Sequence, residues 1–314
     1  MPQITTVTYG LSITILVLPL VVIFYKLRAE LKKERRDSKS PFSEKLLRPA
    51  GESLRLKIDE IRSEQEDCAL IFVCFSFSPG VIALLTYNTG LLANLFTIPP
   101  ITLVCWSIAY RYYQKIMKLR RELRNYKLGF DGERCVASEL TPLIANGYQV
   151  FHDLVFDMQP GGEATNFNID HIAIGPEGIF VIETKAKRKS LKPPVNELAP
   201  HEIAIEGTSR ENTTLRFPNG TIDNKPIKQA IRQADLLLRW LNLPDISANE
   251  VRPVVVYPGW WIKSEQRELL GVQTAKNLAK RLPKLGRGRR LTSKEITHIS
   301  ARIEAVCRNI DGSH

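Results

Sequence analysis

The stretch Asn168-Ile-Asp-His-Ile-Ala-Ile-Gly-Pro-Glu-Gly-Ile-Phe-Val-Ile-Glu-Thr-Lys185 decides the reading of this chain. Two short apolar runs, Ile169 to Ile174 and Ile179 to Ile182, flank Gly175-Pro176-Glu177-Gly178. That pattern predicts a β-hairpin with a four-residue loop. With Ile174 opposite Ile179, Ile172 faces Val181 and Asp170 faces Glu183. Residues two apart share a face of a strand, so Asp170, Glu183 and Lys185 emerge on one side of the sheet. Opposed β-carbons lie about 5 Å apart, where like charges repel. A buried hairpin with facing carboxylates needs something to neutralise them. A divalent metal is the economical answer, and the adjacent lysine suits work on an anionic substrate.

At 314 residues the chain has room for one ordinary domain plus accessory parts. Its formal net charge of +11 fits nucleic acid or an anionic membrane surface and does not choose between them. The five cysteines, at 68, 74, 105, 135 and 307, form no CxxC or Cys/His cluster of metal spacing. They read as reduced, structural side chains, which argues against zinc.

The amino-terminal third reads as membrane. Residues from about Ile4 to Tyr25 carry no charge and match one bilayer crossing in length. A cleaved signal peptide is the rival reading. No basic residue precedes the apolar run and no Ala-x-Ala site follows it, which opposes that rival. Ala69 to Tyr110 is a second uncharged stretch, interrupted at Tyr87-Asn88-Thr89-Gly90. It predicts helices over about 69–86 and 91–110, with a re-entrant hairpin as the alternative. Lys and Arg cluster after Tyr25 and after Tyr110 but not around Asn88. The positive-inside rule then places the amino terminus outside and the carboxy-terminal domain in the cytoplasm. Because the crossings hold no Asp, Glu, Lys, Arg or His, a transporter or sensor ranks last.

Five pieces of the remaining sequence come in the order of a known family. They are Gly129-x-x-Gly132-Glu133, Asn168-Ile-Asp-His-Ile172, Gly178-Ile-Phe-Val-Ile-Glu-Thr-Lys185, Lys225-Pro-Ile-Lys-Gln229 and Val254-Val-Val-Tyr257. From about Gly129 to about Tyr257 the chain resembles the nuclease-related domain (NERD) family, a branch of the PD-(D/E)xK nuclease superfamily. A D…ExK pattern alone occurs by chance in many proteins; five ordered pieces are specific. The chain departs from the family at Lys225, where Asn is usual, and in a longer region from Lys187 to Asn224.

The resemblance implies an α/β fold: a restriction-endonuclease-like mixed β-sheet flanked by helices, here preceded by about three transmembrane α-helices. It also implies a Mg²⁺-dependent phosphodiester hydrolase (Mn²⁺ being the substitute ion) acting on nucleic acid, DNA before RNA. With the anchor, the setting becomes the cytoplasmic side of a bacterial inner membrane. On this reading Asp170, Glu183 and the backbone carbonyl of Thr184 hold the ion. By position alone Glu133 is a first-turn helix glutamate; the resemblance points it at the metal. Lys185 orients water and offsets phosphate charge. Gln229 helps align that water, with Gln233 a weaker candidate. A catalytically inactive nucleic-acid-binding or scaffold protein is the alternative.

The domain plan that follows is a first transmembrane helix (1–25), a polar cytoplasmic segment (26–68), a transmembrane hairpin (69–110), a basic connector (111–128), the nuclease-like domain (129–262) and a basic helical extension (263–314). Glycines 129 and 132 read as helix breaks. Lys187, Arg188 and Lys189 leave the site directly and are candidate phosphate contacts, as is the cluster Arg287, Arg289 and Arg290. Trp260 and Trp261 either stack bases or pack at the rim or in the core. His171, on the opposite face of its strand, reads as packing rather than ligation. Thr214 to Phe217 and Thr221-Ile222 read as hairpin arms. Leu291 to Ile310 reads as a last helix capped by Thr292 or Ser293.

Overall fold

The computed structural model describes residues 25–27, 29–30, 33, 46–86, 91–158, 165–207, 212–244, 246, 251–263 and 271–308. The first expected crossing, apart from Tyr25, and the turn at 87–90 lie outside the described residues. The chain divides into two compact units, Met1–Ser43 with Lys57–Asn125 and Gly312–His314, and Glu44–Leu56 with Tyr126–Asp311.

Two long helices supply the first unit. Helix α1 spans Glu52–Leu85 and helix α2 spans Leu91–Leu140. Phe72 packs on Tyr113 at 6.4 Å between ring centroids, and Lys115 pairs with Glu64 at 2.8 Å. Cys68 and Cys105 are buried there as small apolar groups, and all five cysteines are free. Among the described residues one helix, Glu52–Leu84, is long and apolar enough to cross a membrane.

Helix α2 corrects one expectation. It runs unbroken through Gly129 and Gly132, so Glu133 sits inside a 50-residue helix rather than in a first turn. The glycines are there for close packing. A β-carbon on Gly132 would come within 2.7 Å of the Ala186 β-carbon, and one on Gly129 within 3.2 Å of Leu54. Tertiary contact outweighs the roughly 1 kcal/mol that glycine costs a helix.

The second unit is built on a five-stranded mixed sheet. Strands β1 (Gln149–Met158), β2 (Thr165–Gly175) and β3 (Gly178–Thr184) are antiparallel neighbours. Ile174 pairs with Ile179 and Ile172 with Val181, the register that the apolar alternation predicts. Gly175 pairs with Gly178, so the connection is a two-residue Pro176-Glu177 turn, not a four-residue loop.

The region from Lys187 to Asn224 folds into part of a second sheet. It holds β4 (Glu202–Glu206), β5 (Thr214–Arg216) and β6 (Ile222–Asp223), and with β8 (Trp261–Lys263) the sheet order is β6-β5-β4-β8. The β5–β6 pair is the expected hairpin. Helix α3 (Lys225–Leu241) follows, with Pro226 in its first turn, where the missing N–H costs nothing. Strand β7 (Val251–Tyr257) then pairs in parallel with β3, and β8 (Trp261–Lys263) joins β4. Strand β9 (Gly271–Thr274) completes the first sheet in the order β1-β2-β3-β7-β9.

Helix α4 (Leu278–Arg281) and helix α5 (Ser293–Cys307) are the last two α-helices among the described residues. Thr292 caps α5 in a full capping box with Glu295. The alternation of β3 assigns the layers. Ile179 and Val181 share a core with Leu237 of α3 and Ile299 of α5. Phe180 and Ile182 share a second core with Val136 of α2 and Leu278 of α4. Strand β9 extends the sheet, and α5 contributes Ile296, Ile299 and Ile303 to a core of this unit.

Candidate active site

Past the Ile182 pair the β2–β3 ladder ends, and side chains replace it. The Thr184 N–H donates to Asp170 Oδ2 at 2.7 Å, so the Asp170 carboxylate stands in for the missing strand carbonyl. Asp170 and Glu183 are both buried, at 8% and 2% exposure. Lys185 forms an ion pair with Glu183 and is itself about one-third exposed, at the mouth of the site. Asp170, Glu183, Thr184 and Lys185 are thus brought together by one strand end.

Glu133 reaches the group from α2. It is buried, the nearby Gly51 backbone N–H favours its ionised form, and its Oε2 has no partner. Burial and the charges of Asp153 and Glu183 push its carboxyl up to about 8, with Lys185 opposing. Asp170 is likewise held well above the ordinary carboxylate range, first by burial and then by Glu183 and Glu133. A cluster of acids that raise one another's proton affinity is also a cluster that a cation stabilises.

The glutamine that meets these acids is Gln233. Its Nε2 donates to Glu183 Oε2 and to the Asn168 carbonyl, each at 2.7 Å. Gln229, one turn earlier, is exposed, which corrects the choice between the two. The β3 alternation explains it. Glu183 continues the Ile179–Val181 face, the face that α3 covers.

Asp153 and its partners carry no local sequence signal. Asp153, almost fully buried, sits at φ 49°, a left-handed value that aspartate tolerates better than most residues. It accepts from Arg48 and Ser53, residues that lie 105 and 100 positions before it in the chain. His171 is fully buried and bonded to His152 at 2.9 Å, as a packing residue should be.

The basic candidates separate. Lys187 and Arg188 line a pocket with Ser190, Lys192, Phe217 and Trp260, just past the end of β3. Lys187 lies 3.3 Å over the Phe217 ring, and Lys189 lies 5.9 Å from the centre of the Trp260 ring. Trp260 is buried and donates to the Lys187 carbonyl at 3.0 Å, so it packs; Trp261 is exposed. Arg289 instead pairs with Glu295, and Arg290 pairs with Glu177 at 3.1 Å. Glu177 is at the hairpin turn, roughly 20 Å along β3 from Glu183 at about 3.3 Å of rise per residue. The cluster of Arg287, Arg289 and Arg290 therefore flanks the wrong end of the hairpin for the site.

The donor set suits a hard cation: buried carboxylates, a backbone carbonyl at Thr184 and an unpartnered Glu133 oxygen. Among the described residues no three His, Cys, Asp or Glu side chains are gathered tightly enough to form a cage by themselves. Magnesium does not require one, since it retains several waters and takes one or two carboxylates.

Residues 128–258 match the family model of the nuclease-related domain (NERD), a match that covers less than half of the chain. No curated protein and no solved structure matches.

Proposed function

We propose that this chain is a membrane-anchored, metal-dependent nuclease that hydrolyses phosphodiester bonds on the cytoplasmic side. The observation that carries the reading is the buried meeting of Asp170, Glu183 and Glu133 with Lys185 at one end of β3. Asp170, Glu183 and the Thr184 carbonyl would hold Mg²⁺ or Mn²⁺, with Glu133 completing the site directly or through water. Such an ion, when bound, would lower the pKa of a water and supply positive charge at the scissile phosphate. Gln233 fixes the Glu183 carboxylate, and so leaves the other oxygen for the cation side. Lys185, at the mouth, offsets the charge that develops on phosphate oxygens. Lys187, Arg188 and Lys189 contact the phosphates of the strand leaving the site.

The anchor is supported by the span at Glu52–Leu84 and by the exposed apolar side chains Phe77, Phe96, Leu103 and Trp106. The basic residues after Tyr110 support the cytoplasmic placement. The test is a panel of single- and double-stranded DNA and RNA incubated with the solubilised full chain and Mg²⁺ or Mn²⁺. Cleavage of at least one substrate that stops with EDTA supports the reading. Metal-independent binding without cleavage would move the protein to the scaffold class.

A further inference from the structure

A chain of hydrogen bonds links a segment outside the matched domain to the acids of the site. Arg48 donates through Nε to the Asp153 carbonyl and to Asp153 Oδ2, both at 2.9 Å, and through Nη2 to Oδ2 at 2.5 Å. The same Nη2 donates to Ser53 Oγ at 2.8 Å. Ser53 adds its backbone N–H at 2.8 Å and its hydroxyl at 3.0 Å to Asp153 Oδ2. On its other oxygen Asp153 accepts from Asn168 Nδ2 at 3.3 Å. The Asn168 carbonyl accepts from Gln233, and Gln233 also donates to Glu183. Between Arg48 and Ser53, Gly51 lies beside Glu133: a β-carbon built on it would stand 3.7 Å from Oε2.

We propose that Arg48 is a positioning residue for the metal centre: it clamps Asp153, and the segment 46–56 thereby forms a wall of the site. The inference rests on the metal-dependent nuclease reading. Four features carry it. Asp153 is almost completely buried, and Arg48 is the cation that neutralises it. The guanidinium fork binds backbone and side chain of the same residue, a geometry that an ammonium lacks. The clamp holds Asp153 at its left-handed φ, where an unbraced residue relaxes. Gly51, at φ 77°, brings the backbone of this segment up to Glu133, and only glycine fits there, because a β-carbon would lie 2.7 Å from the Phe130 ring. Groups that orient metal ligands from behind typically contribute tenfold to a hundredfold in metal affinity.

The test is Mn²⁺ binding by the solubilised full chain, followed by electron paramagnetic resonance or calorimetry, with no nucleic acid present. Arg48→Lys keeps the charge and loses the fork. Its Kd for Mn²⁺ is expected to rise about tenfold, with cooperative unfolding retained, and Arg48→Ala to rise further. Should Arg48→Ala not fold, Arg48→Lys and Ser53→Ala carry the test. A purely structural role lowers the unfolding temperature but leaves Mn²⁺ affinity of the folded variants at the parent value, and that result overturns the proposal. Absence of Mn²⁺ binding by the parent itself would instead remove the metal reading on which it stands.

Discussion

Gln233 Nε2 stands 2.7 Å from Glu183 Oε2, joining helix α3 to strand β3 across 50 residues of sequence. Both groups are buried, so the bond fixes which Glu183 oxygen remains for Lys185 and a cation. Gln233→Leu leaves the carboxylate unbraced, and cleavage rates should fall about tenfold to a hundredfold. Gln229→Ala removes an exposed side chain and should leave rates within about twofold, since surface changes are small in effect. Initial rates on one substrate compare the two.

The carboxyl pair Glu133 and Asp170 sets a pH dependence of stability. Both take up protons more readily folded than unfolded, Glu133 to about 8 and Asp170 well above its ordinary value. Over that window the folded state binds more protons, so metal-free stability falls as pH rises. Burial holds His152 down to about 4, an effect of opposite sign that is complete above its ordinary value of about 6.5. From about pH 6.5 to 8 the acids therefore act without that opposition. The metal-free melting temperature should decline over this window, and Glu133→Gln should flatten the decline. An unchanged slope in Glu133→Gln contradicts the assignment.

Gly132 is a packing glycine inside a helix. Alanine is the better helix former, yet its β-carbon would meet Ala186 at 2.7 Å. Gly132→Ala should destabilise by about 1–3 kcal/mol, the usual range for overpacking. Denaturant titration measures it, and Ala186→Gly in the same chain should recover part of the loss.

The sequence carried the hairpin register because a period of two with β-branched runs leaves little choice of pairing partners. It did not carry the choice between Gln229 and Gln233. Residues four apart share a helix face, and only the direction in which Glu183 projects selects one of them. The glycines of α2 read as helix breaks for a related reason: propensity is local, whereas the Ala186 contact is not. Arg48 lies 105 residues from Asp153, a separation at which no pattern signals contact. Arg289 and Arg290 look like nucleic-acid contacts by charge alone, but their partners Glu295 and Glu177 are visible only in the fold.

The two basic clusters should behave differently on nucleic acid. Lys187 stands beside the site end of β3 and Arg290 at the hairpin turn. Lys187→Ala should weaken binding and reduce the slope of log affinity against log salt by about 0.7–0.9 for each lost phosphate contact. Arg290→Ala should leave that slope unchanged. Fluorescence anisotropy across a salt series, with metal chelated to prevent cleavage, separates them.

The most direct measurement is Mg²⁺-dependent cleavage by Asp170→Asn beside the parent chain. Asparagine can still accept the Thr184 N–H bond through its amide oxygen, so the fold is retained while a charged oxygen is lost. The nuclease reading predicts a parent that cuts with Mg²⁺ and stops with EDTA, and a variant slower by about a hundredfold or more. Equal cutting by the two proteins would place the chemistry elsewhere and contradict the assignment of this site.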